Sequence, residues 1–359
     1  MLYTRSLQRD PELEIRGGRY EERDMIWKNV EIHNVEELIE KDGGVTWRRI
    51  PASVRERMET EAGKNAAVSA TGVELRFVMK SEEVKIRMSS ESTTAVFHVF
   101  RGAIQGGYED HETSKHVSGK PQDFVIHRSG NLELLRNVAE EFGQEWDPAV
   151  VRVIFDRGGY TLYDIEGEVE PPRPEQCPSR TMMAYGSSIT HGSNSIDASH
   201  SWVWQVAEHR KMDQRNLGIA GGCAMEPEIV EYIAAEGEKK RWDLALLELG
   251  INVLDWPEEK IHTRVENTLA QIAGRNPDKP IYVISPFYCF DDYYRRGNAQ
   301  RWREIIAKEA AKSGLPNVTY INGLSLLENM SLISADAVHP NIYGVQQIAE
   351  RLIKYLERS

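Results

Sequence analysis

The chain has 359 residues, of which 56 are acidic and 44 are Lys or Arg, so its formal net charge is −12. This length predicts two domains, and a hydrophobic content of 40% with 28% charged residues is typical of globular proteins. The charge argues against nucleic acid as a partner, because no basic stripe is available to displace counterions from phosphates, and it disfavours docking on anionic membranes.

The first residues, MLYTRSLQRDPELEIRG, contain no apolar core of the kind that a signal peptide needs. No run approaches the ~20 apolar residues that span a bilayer. The 3 cysteines, Cys177, Cys223 and Cys289, are widely spaced and odd in number, which favours neither a disulfide framework nor a metal cluster. We therefore expect a cytoplasmic protein with reduced thiols, no cofactor and no metal, in which Cys223 is a packing residue.

The first 170 residues show short segments in which apolar and polar residues alternate. Such segments predict half-buried antiparallel strands, here over residues 72–79, 83–88, 94–100, 122–127, 150–155 and 160–165. Residues 132–143 form a short helix or a loop at the edge. Several short strands with turn residues between them predict a β-sandwich domain over residues 1–170, jelly-roll-like in its architecture.

A proline-rich stretch, EVEPPRPEQCP, marks a change in the pattern. Dense prolines stay extended and prevent either flanking element from continuing. We take residues 171–180 as the linker between two domains, with the second domain over residues 181–359.

Beyond the linker, strands alternate with helices. The strands are predicted over residues 182–185, 215–219, 243–249, 280–285 and 318–321, and the helices over residues 201–209, 225–238, 258–275, 299–313 and 343–358. Repeated βα units imply a parallel sheet with helices on both faces. The loops that follow the strands then meet at one edge of the sheet, where ligands bind in such folds.

The stretch TMMAYGSSITHGSN, residues 181–194, is the centre of this domain. Its apolar run stops at Gly186, and Ser187 and Ser188 follow in a tight turn after a buried strand. Glycine at this point lets the backbone take conformations that a β-carbon would forbid. Ser188 is the predicted nucleophile, although a serine that only caps a helix is the simpler interpretation of this stretch alone.

A serine nucleophile needs a base that takes its proton. Asp336 and His339 lie three positions apart on one short loop, where the carboxylate can orient the imidazole and fix its tautomer. His191 is a rival base because it is nearest to Ser188 in the sequence, but it has no carboxylate at that spacing. A histidine satisfied within its own loop is the alternative for His339.

The nucleophile also needs hydrogen-bond donors for the oxyanion. Gly221 and Asn252 each follow a predicted strand, and they offer a backbone N–H and a side-chain amide. Gly221 could instead serve a turn, and Asn252 could bond a neighbouring carbonyl. Each motif alone is weak, and their order along the chain and their positions after strands favour catalysis.

These four stretches resemble the conserved blocks of the SGNH hydrolases, the GDSL-type esterase and lipase superfamily, from about residue 181 to the end of the chain. The resemblance implies a flavodoxin-like three-layer αβα fold. It assigns the catalytic triad to Ser188, Asp336 and His339, and the oxyanion donors to the N–H groups of Ser188 and Gly221 and the amide of Asn252. The sequence departs from the family in two places that normally support the turn around the site: Ser187 replaces an acidic residue, and Val253 replaces a frequent Asp.

Aromatic residues cluster in the loops after the predicted strands: Trp256, Tyr288, Phe290, Tyr293 and Tyr294. They could stack on a sugar ring or hold an acyl chain, with Trp256, Tyr288 and Tyr293 as the candidate substrate-binding residues. Loop aromatics equally often seal a domain interface, and both interpretations stay open.

The resulting hypothesis is a serine esterase that acts on short-chain, above all acetyl, esters of a carbohydrate or glycoside. A β-sandwich in front of a GDSL-type domain resembles some carbohydrate esterases, so the first domain either binds sugar or only packs on the second. Two alternatives stay open: an acyltransferase with the same triad, and a non-catalytic carbohydrate-binding protein on a hydrolase scaffold. The expected partner is a small-molecule ester such as an acylated sugar, and a homo-oligomer is left open.

Overall fold

The computed structural model describes residues 25–107 and 114–357, which form two compact units. The described residues up to Pro51 and those within Val68–Cys177 form the first unit. Ala52–Ala67 and the described residues from Pro178 onward form the second. Ala52–Ala67 contains helices α1 (Ala52–Arg55) and α2 (Glu61–Ala66). The start of the chain, predicted to lack a signal peptide, lies outside the described residues.

The first unit consists largely of antiparallel strands. Among the described residues these are β1 (Met25–Trp27), β2 (Val30–His33), β3 (Glu37–Lys41), β4 (Gly44–Arg48), β5 (Glu74–Met79), β6 (Glu83–Ser90), β7 (Val96–Arg101), β8 (Ile104–Gln105), β9 (Lys115–His116), β10 (Gln122–His127), β11 (Val150–Phe155), β12 (Tyr160–Glu166) and β13 (Val169–Glu170). The predicted strands are confirmed. The sequence prediction did not find β1–β4, which are only three to five residues long.

Within the described part of this unit, the strands form two sheets with a shared core. One sheet has the order β1-β2-β5-β11-β7-β8, with β13 on β5 and β9 on β7, and the other has the order β10-β6-β12-β4-β3. Phe77 and Val153 of the first sheet share a fully buried apolar cluster with Ile86 and Leu162 of the second. This packing explains the alternation in the sequence, because each strand turns one face toward the core.

The end of the first unit includes most of the predicted linker. Helix α3 (Leu132–Glu141) precedes β11, and a 3₁₀ turn at Pro174–Gln176 follows β13. Gln176 is 3% exposed, and its side-chain amide donates to Asp147 at 3.0 Å. Residues 171–177 therefore belong to the first unit, and Ala52–Ala67 departs from the predicted continuous domain over residues 1–170.

The second unit has a parallel sheet, as predicted. Its strands among the described residues are β14 (Thr181–Gly186), β15 (Asp213–Gly218), β16 (Leu244–Glu248), β17 (Ile281–Ile284) and β18 (Val318–Ile321). Their order is β15-β14-β16-β17-β18, which is the flavodoxin-like order. Most of the strand residues are buried, as expected for a parallel sheet covered on both faces.

Helices cover both faces of this sheet. The remaining helices of the described chain are α4 (Ser188–His191), α5 (Trp202–His209), α6 (Pro227–Glu238), α7 (Glu258–Ile272), α8 (Phe290–Tyr293), α9 (Asn298–Ser313), α10 (Gly323–Leu326) and α11 (Ile342–Leu356). Helices α5 and α11 pack together over one face, and α7 packs between α6 and α9 over the other. The predicted three-layer αβα architecture is confirmed. None of the helices among the described residues combines the length and the apolar character that crossing a bilayer requires.

The register of the sheet determines where the loops emerge. Gly186 at the end of β14 pairs with Gly218 at the end of β15, and β16 ends beside them at Glu248. The loops that carry Ser188, Gly221 and Asn252 therefore leave the same edge of the sheet.

Candidate active site

Ser188 is the first residue of the short helix α4, directly after β14. Ser187 caps this helix: its Oγ accepts a hydrogen bond from the N–H of Ile189 at 3.1 Å. A β-carbon on Gly186 would lie 2.2 Å from Oγ1 of Thr190, and one on Gly218 would lie 2.3 Å from the backbone nitrogen of His191. Only glycine at both strand ends allows α4 to lie this close to the sheet.

The structure brings Ser188, His339 and Asp336 together. Oγ of Ser188 lies 2.7 Å from Nε2 of His339, and Nδ1 of His339 lies 2.7 Å from Oδ2 of Asp336. An imidazole whose Nδ1 donates to a carboxylate presents the Nε2 lone pair to the hydroxyl. This arrangement can therefore remove the proton from Ser188 as its oxygen attacks an electrophile.

The Asp336 carboxylate accepts several hydrogen bonds within its loop. Oδ1 accepts from the N–H groups of Val338 and His339 and from Ser334 Oγ at 2.8–3.0 Å, and Oδ2 accepts from Asn194 Nδ2 at 3.0 Å. Partial burial raises the pKa of Asp336, but the hydrogen bonds from His339, Val338 and Ser334 outweigh this and hold the pKa well below its usual range. Asp336 is therefore a fixed anion, and Asn194 is a site residue that the sequence analysis missed.

Spacing alone would not have selected His339. Asp197 and His200 form a second Asp-x-x-His stretch, with His200 Nδ1 2.9 Å from Oδ1 of Asp197. The loop of His339 is closed by a β-bridge between Ile333 and Pro340. Asn194, which follows the Ser188 turn, bonds to this loop at Ser334 and Asp336. The rival base His191 is buried at 6% exposure, and His339 is the histidine that contacts the Ser188 hydroxyl.

Gly221 and Asn252 lie on the loops after β15 and β16. Oδ1 of Asn252 accepts the N–H of Cys223 at 3.1 Å, so the amide nitrogen Nδ2 points the other way. Gly221 has a left-handed φ of +69°, which favours glycine. In the part of the chain that the structure describes, neither the N–H of Gly221 nor Nδ2 of Asn252 donates to a protein acceptor. Both donors are available to an oxyanion.

Helix α2, although it comes from the first half of the chain, packs on the Gly221 loop. A β-carbon on Gly222 would lie 2.5 Å from Cα of Gly63, and one on Gly221 would lie 3.0 Å from Cβ of Ala62. The N–H of Glu59, just before α2, donates to Oε1 of Glu226 at 3.3 Å. The segment Ala52–Ala67 therefore supports one of the candidate oxyanion loops, and no sequence motif indicated this.

Glu248 is a second residue that the sequence analysis missed. It is fully buried at the end of β16, where its Oε2 accepts the N–H and the Oγ–H of Ser187, at 2.7 and 2.6 Å, and the hydroxyl of Thr190 at 3.1 Å. Among the described residues its Oε1 has no hydrogen-bond partner. Burial raises the pKa of Glu248 to about 7, and the hydrogen bonds from Ser187 and Thr190 only partly oppose this. A single acidic residue in the apolar strand LALLE was the available signal.

Glu248 also explains why a serine, Ser187, can stand before the nucleophile where the family usually has an acidic residue. A Ser187 hydroxyl can donate to Glu248 and accept from Ile189 at the same time, which a carboxylate at that position could not do. The turn is therefore supported by a carboxyl group from the neighbouring strand. Cys223 is buried, and its thiol lies 3.6 Å from the Glu248 carbonyl oxygen.

The predicted substrate-binding aromatics occupy different environments. Tyr293 is 58% exposed and belongs to α8, whose first residue, Phe290, donates its N–H to the carbonyl of Ala337 in the His339 loop at 2.8 Å. Trp256 is half-buried, with Nζ of Lys260 3.5 Å from the centre of its ring. Tyr288 packs against the apolar core. Of the three, the structure leaves Tyr293 most accessible.

In the ranges that the structure describes, no group of three or more His, Cys, Asp or Glu side chains is placed to hold a metal ion.

The parallel sheet and the loops at its carboxyl edge define an SGNH-like hydrolase fold. Residues 184–347 match the model of the GDSL-like lipase/acylhydrolase family. No curated protein sequence matches the chain.

Solved structures share the fold over most of the chain. One is the salicylyl-acyltransferase SsfX3 from a tetracycline biosynthetic pathway, with a TM-score of 0.74 and 17% identity over 93% of this chain and 96% of that one. A family two carbohydrate esterase from Cellvibrio japonicus has a TM-score of 0.61 and 11% identity, covering 92% and 95%. An acetyl xylan esterase from the rumen bacterium Butyrivibrio proteoclasticus has a TM-score of 0.52 and 14% identity, covering 81% and 92%.

Glu248→Gln should reduce the change in the free energy of unfolding with pH. Because the pKa of the Glu248 carboxyl rises from 4.5 to about 7 on folding, the native state holds this proton more tightly than the unfolded chain does. The stabilisation is full below the unfolded pKa and is lost as the pH rises through the folded pKa, a fall of about 3 kcal/mol. The amide of the variant cannot ionise, so urea unfolding at about pH 5 and pH 8 should show a smaller difference than in the wild type.

Glu350→Gln provides the matched control, because Glu350 is exposed on α11. This control should keep the wild-type pH dependence. An undiminished fall in the stability of Glu248→Gln between the two pH values would contradict the prediction.

Proposed function

We propose that this protein is a serine esterase that hydrolyses short-chain acyl esters, acetyl esters above all, of a carbohydrate or glycoside. The observation that carries the proposal is the pair of 2.7 Å contacts that join Ser188 to His339 and His339 to Asp336. A hydroxyl next to an imidazole oriented by a carboxylate is the arrangement that nucleophilic acyl transfer needs.

In the first half of the proposed reaction, His339 takes the Ser188 proton through Nε2 while Oγ attacks the ester carbonyl. Asp336 stays ionised and stabilises the imidazolium that forms. The tetrahedral intermediate then collapses as the C–O bond to the alcohol breaks, and His339 gives its proton to the leaving alcohol. The products of this half are the free alcohol and an acyl group on Ser188.

In the second half, His339 takes a proton from water, and the hydroxide attacks the acyl carbonyl. The bond to Ser188 then breaks, His339 returns the proton to Oγ, and the acid leaves. In both halves the oxyanion is held by the N–H groups of Ser188 and Gly221 and by Nδ2 of Asn252. The orientation of the Asn252 amide supports this role. Because Oδ1 accepts the N–H of Cys223, the amide group is oriented so that Nδ2 is left to donate to the oxyanion.

The substrate class is proposed from two solved structures that share this fold and from the exposed Tyr293. The family two carbohydrate esterase and the acetyl xylan esterase share this fold, at identities of 11% and 14%. Tyr293 is exposed close to the His339 loop and is the aromatic best placed to stack on a sugar ring. Trp256 and Tyr288 are the other two residues that we assign to substrate binding in this proposal. A sugar-binding role for the first unit and a cytoplasmic location, with the three thiols unpaired, belong to the same proposal.

An acyltransferase with the same triad is the second candidate, and the likeness to the salicylyl-acyltransferase SsfX3 at a TM-score of 0.74 favours it. The two activities differ only in whether water or an acceptor hydroxyl attacks the acyl group. The ratio of free acid to transferred ester, measured as the concentration of a sugar alcohol is raised, distinguishes them. Activity against p-nitrophenyl esters that falls beyond propionyl would indicate a small acyl pocket.

Ser188→Ala and His339→Gln should each lower kcat for p-nitrophenyl acetate by about 10³-fold or more, because each removes a member of the proton-transfer pair. His200→Gln is the matched control, since His200 has the same spacing to its own aspartate and lies on the exposed surface. It should retain nearly full activity. Substantial turnover by Ser188→Ala, measured on protein with a wild-type unfolding temperature, would contradict the proposal.

Asn252→Asp isolates the donor role of Asn252. The carboxylate can still accept the N–H of Cys223, so the fold is kept, but the donor to the oxyanion is lost and a negative charge takes its place. We expect kcat to fall by about 10²–10³-fold or more with a smaller change in KM, because the donor acts on charge that develops in the transition state. A wild-type kcat in this variant would remove Asn252 from the oxyanion site.

A further inference from the structure

The first unit contains a cavity of about 270 Å³ with a cationic lining. The charged side chains that line it are Lys80, Arg101, Arg128, Arg136 and Arg173. Among the described residues that line the cavity, none is acidic. This is unusual for a chain whose formal net charge is −12.

The five cations come from separate parts of the unit. Lys80 and Arg101 stand at the ends of β5 and β7, Arg128 follows β10, Arg136 lies on α3, and Arg173 follows β13. Like charges that converge on one cavity repel each other, and the repulsion is stronger where water is excluded. An anion in the cavity would remove this repulsion.

Carboxylates contact four of these cations and leave donors unused. Arg136 contacts Asp147 through Nε and Nη2 at 3.1 and 3.2 Å, and Arg128 contacts Glu82 at 3.3 Å. A guanidinium has five N–H donors, and a bidentate carboxylate uses two of them. The ion pairs therefore fix the positions of the arginines while further N–H groups remain for a ligand.

The same holds for the other two paired cations. Nζ of Lys80 lies 2.7 Å from Glu170, and Nε of Arg173 lies 2.6 Å from Glu175. Neither glutamate lines the cavity. The carboxylates that pair with these two cations are therefore not part of the lining, whose charged side chains are all cationic.

Two further features add positive potential. Arg101 is only 3% exposed, and its guanidinium donates to the carbonyl of His127 and lies 3.7 Å from Sδ of Met79. Leu132, the first residue of the ten-residue helix α3, also lines the cavity, so the positive end of this helix dipole is close by.

We propose that this cavity binds a small organic oxyanion, namely a carboxylate or phosphate group carried on a body of about the size of one sugar. Guanidinium groups match the planar geometry of these oxyanions and bind them in a bidentate manner. Val78, Met79 and Pro148 give part of the cavity an apolar wall for the body of the ligand. Sugar acids and sugar phosphates carry such an oxyanion on a body of this size, and they are the ligands that the proposal names for the test.

The proposed site lies within the first unit and shares no residue with the Ser188 site. Its test measures binding rather than turnover, so its result is independent of the esterase proposal.

Isothermal titration of the full chain with glucuronate, glucose 6-phosphate and glucose tests the proposal. One or both anionic sugars should bind saturably, one per chain, and the neutral sugar should not. Their relative affinities identify the oxyanion as carboxylate or phosphate. Binding should weaken as ionic strength rises, because the attraction is between charges. Failure of both anionic sugars to bind at millimolar concentration would overturn the proposal.

Substitution of the lining then locates the binding. Arg128→Gln with Arg136→Gln should weaken binding of the tighter ligand by about tenfold or more, because each substitution removes a cation and its hydrogen bonds to the oxyanion. Arg173→Gln alone should also weaken binding of this ligand. This single variant tests the proposal if the double variant does not fold. Arg87→Gln is the matched control, because Arg87 is exposed, pairs with Asp123 and lies outside the cavity. Equal affinity in the folded lining variants and the wild type would overturn the assignment.

Discussion

The hydrogen bond between Oγ of Ser188 and Nε2 of His339 joins residues 151 positions apart, and the arrangement of the site depends on it. It forms because β14 lies inside the parallel sheet, between β15 and β16, so that the Ser188 turn leaves the sheet among the loops of its neighbours. The His339 loop reaches the same edge from the other end of the domain. It is held by the Ile333–Pro340 bridge and by Asn194, which donates both to Ser334 at 2.9 Å and to Asp336 at 3.0 Å. The side chains that the sequence separates are thus brought together by loops that bond to each other.

The turn that carries Ser188 depends on a buried carboxyl group, that of Glu248, whose pKa is raised to about 7. Glu248 has no access to water, and its three hydrogen bonds all run to Ser187 and Thr190 on either side of the nucleophile. Such a group stabilises the fold less as it ionises, yet its oxygens hold the backbone from which Ser188 projects. Only glycine fits at positions 186 and 218, because any β-carbon there would overlap α4 or Glu248. The geometry of the nucleophile is therefore set by backbone packing and by one buried acid together.

The sequence predicted the parallel sheet and its long helices because buried strands and amphipathic helices have strong periodic patterns. The three candidate triad residues were also predicted, and the structure brings them within hydrogen-bonding distance, whereas their catalytic role stays a prediction. Periodicity could not find β1–β4, because strands of three to five residues are too short to show a clear alternation. It could not indicate the role of α2 either, because the contacts of α2 with Gly221 and Gly222 are tertiary. Nor could spacing separate His339 from His200, since both follow an aspartate by three residues. In each case the missing information was a contact between distant parts of the chain.

Labelling with a fluorophosphonate tests the central claim most directly, because it reports an activated serine without assuming any substrate. The account predicts one phosphonyl adduct per chain, located on Ser188 by peptide mass spectrometry, and formed much more slowly in His339→Gln than in His200→Gln. A folded protein that forms no adduct, or an adduct on a different serine, would contradict it.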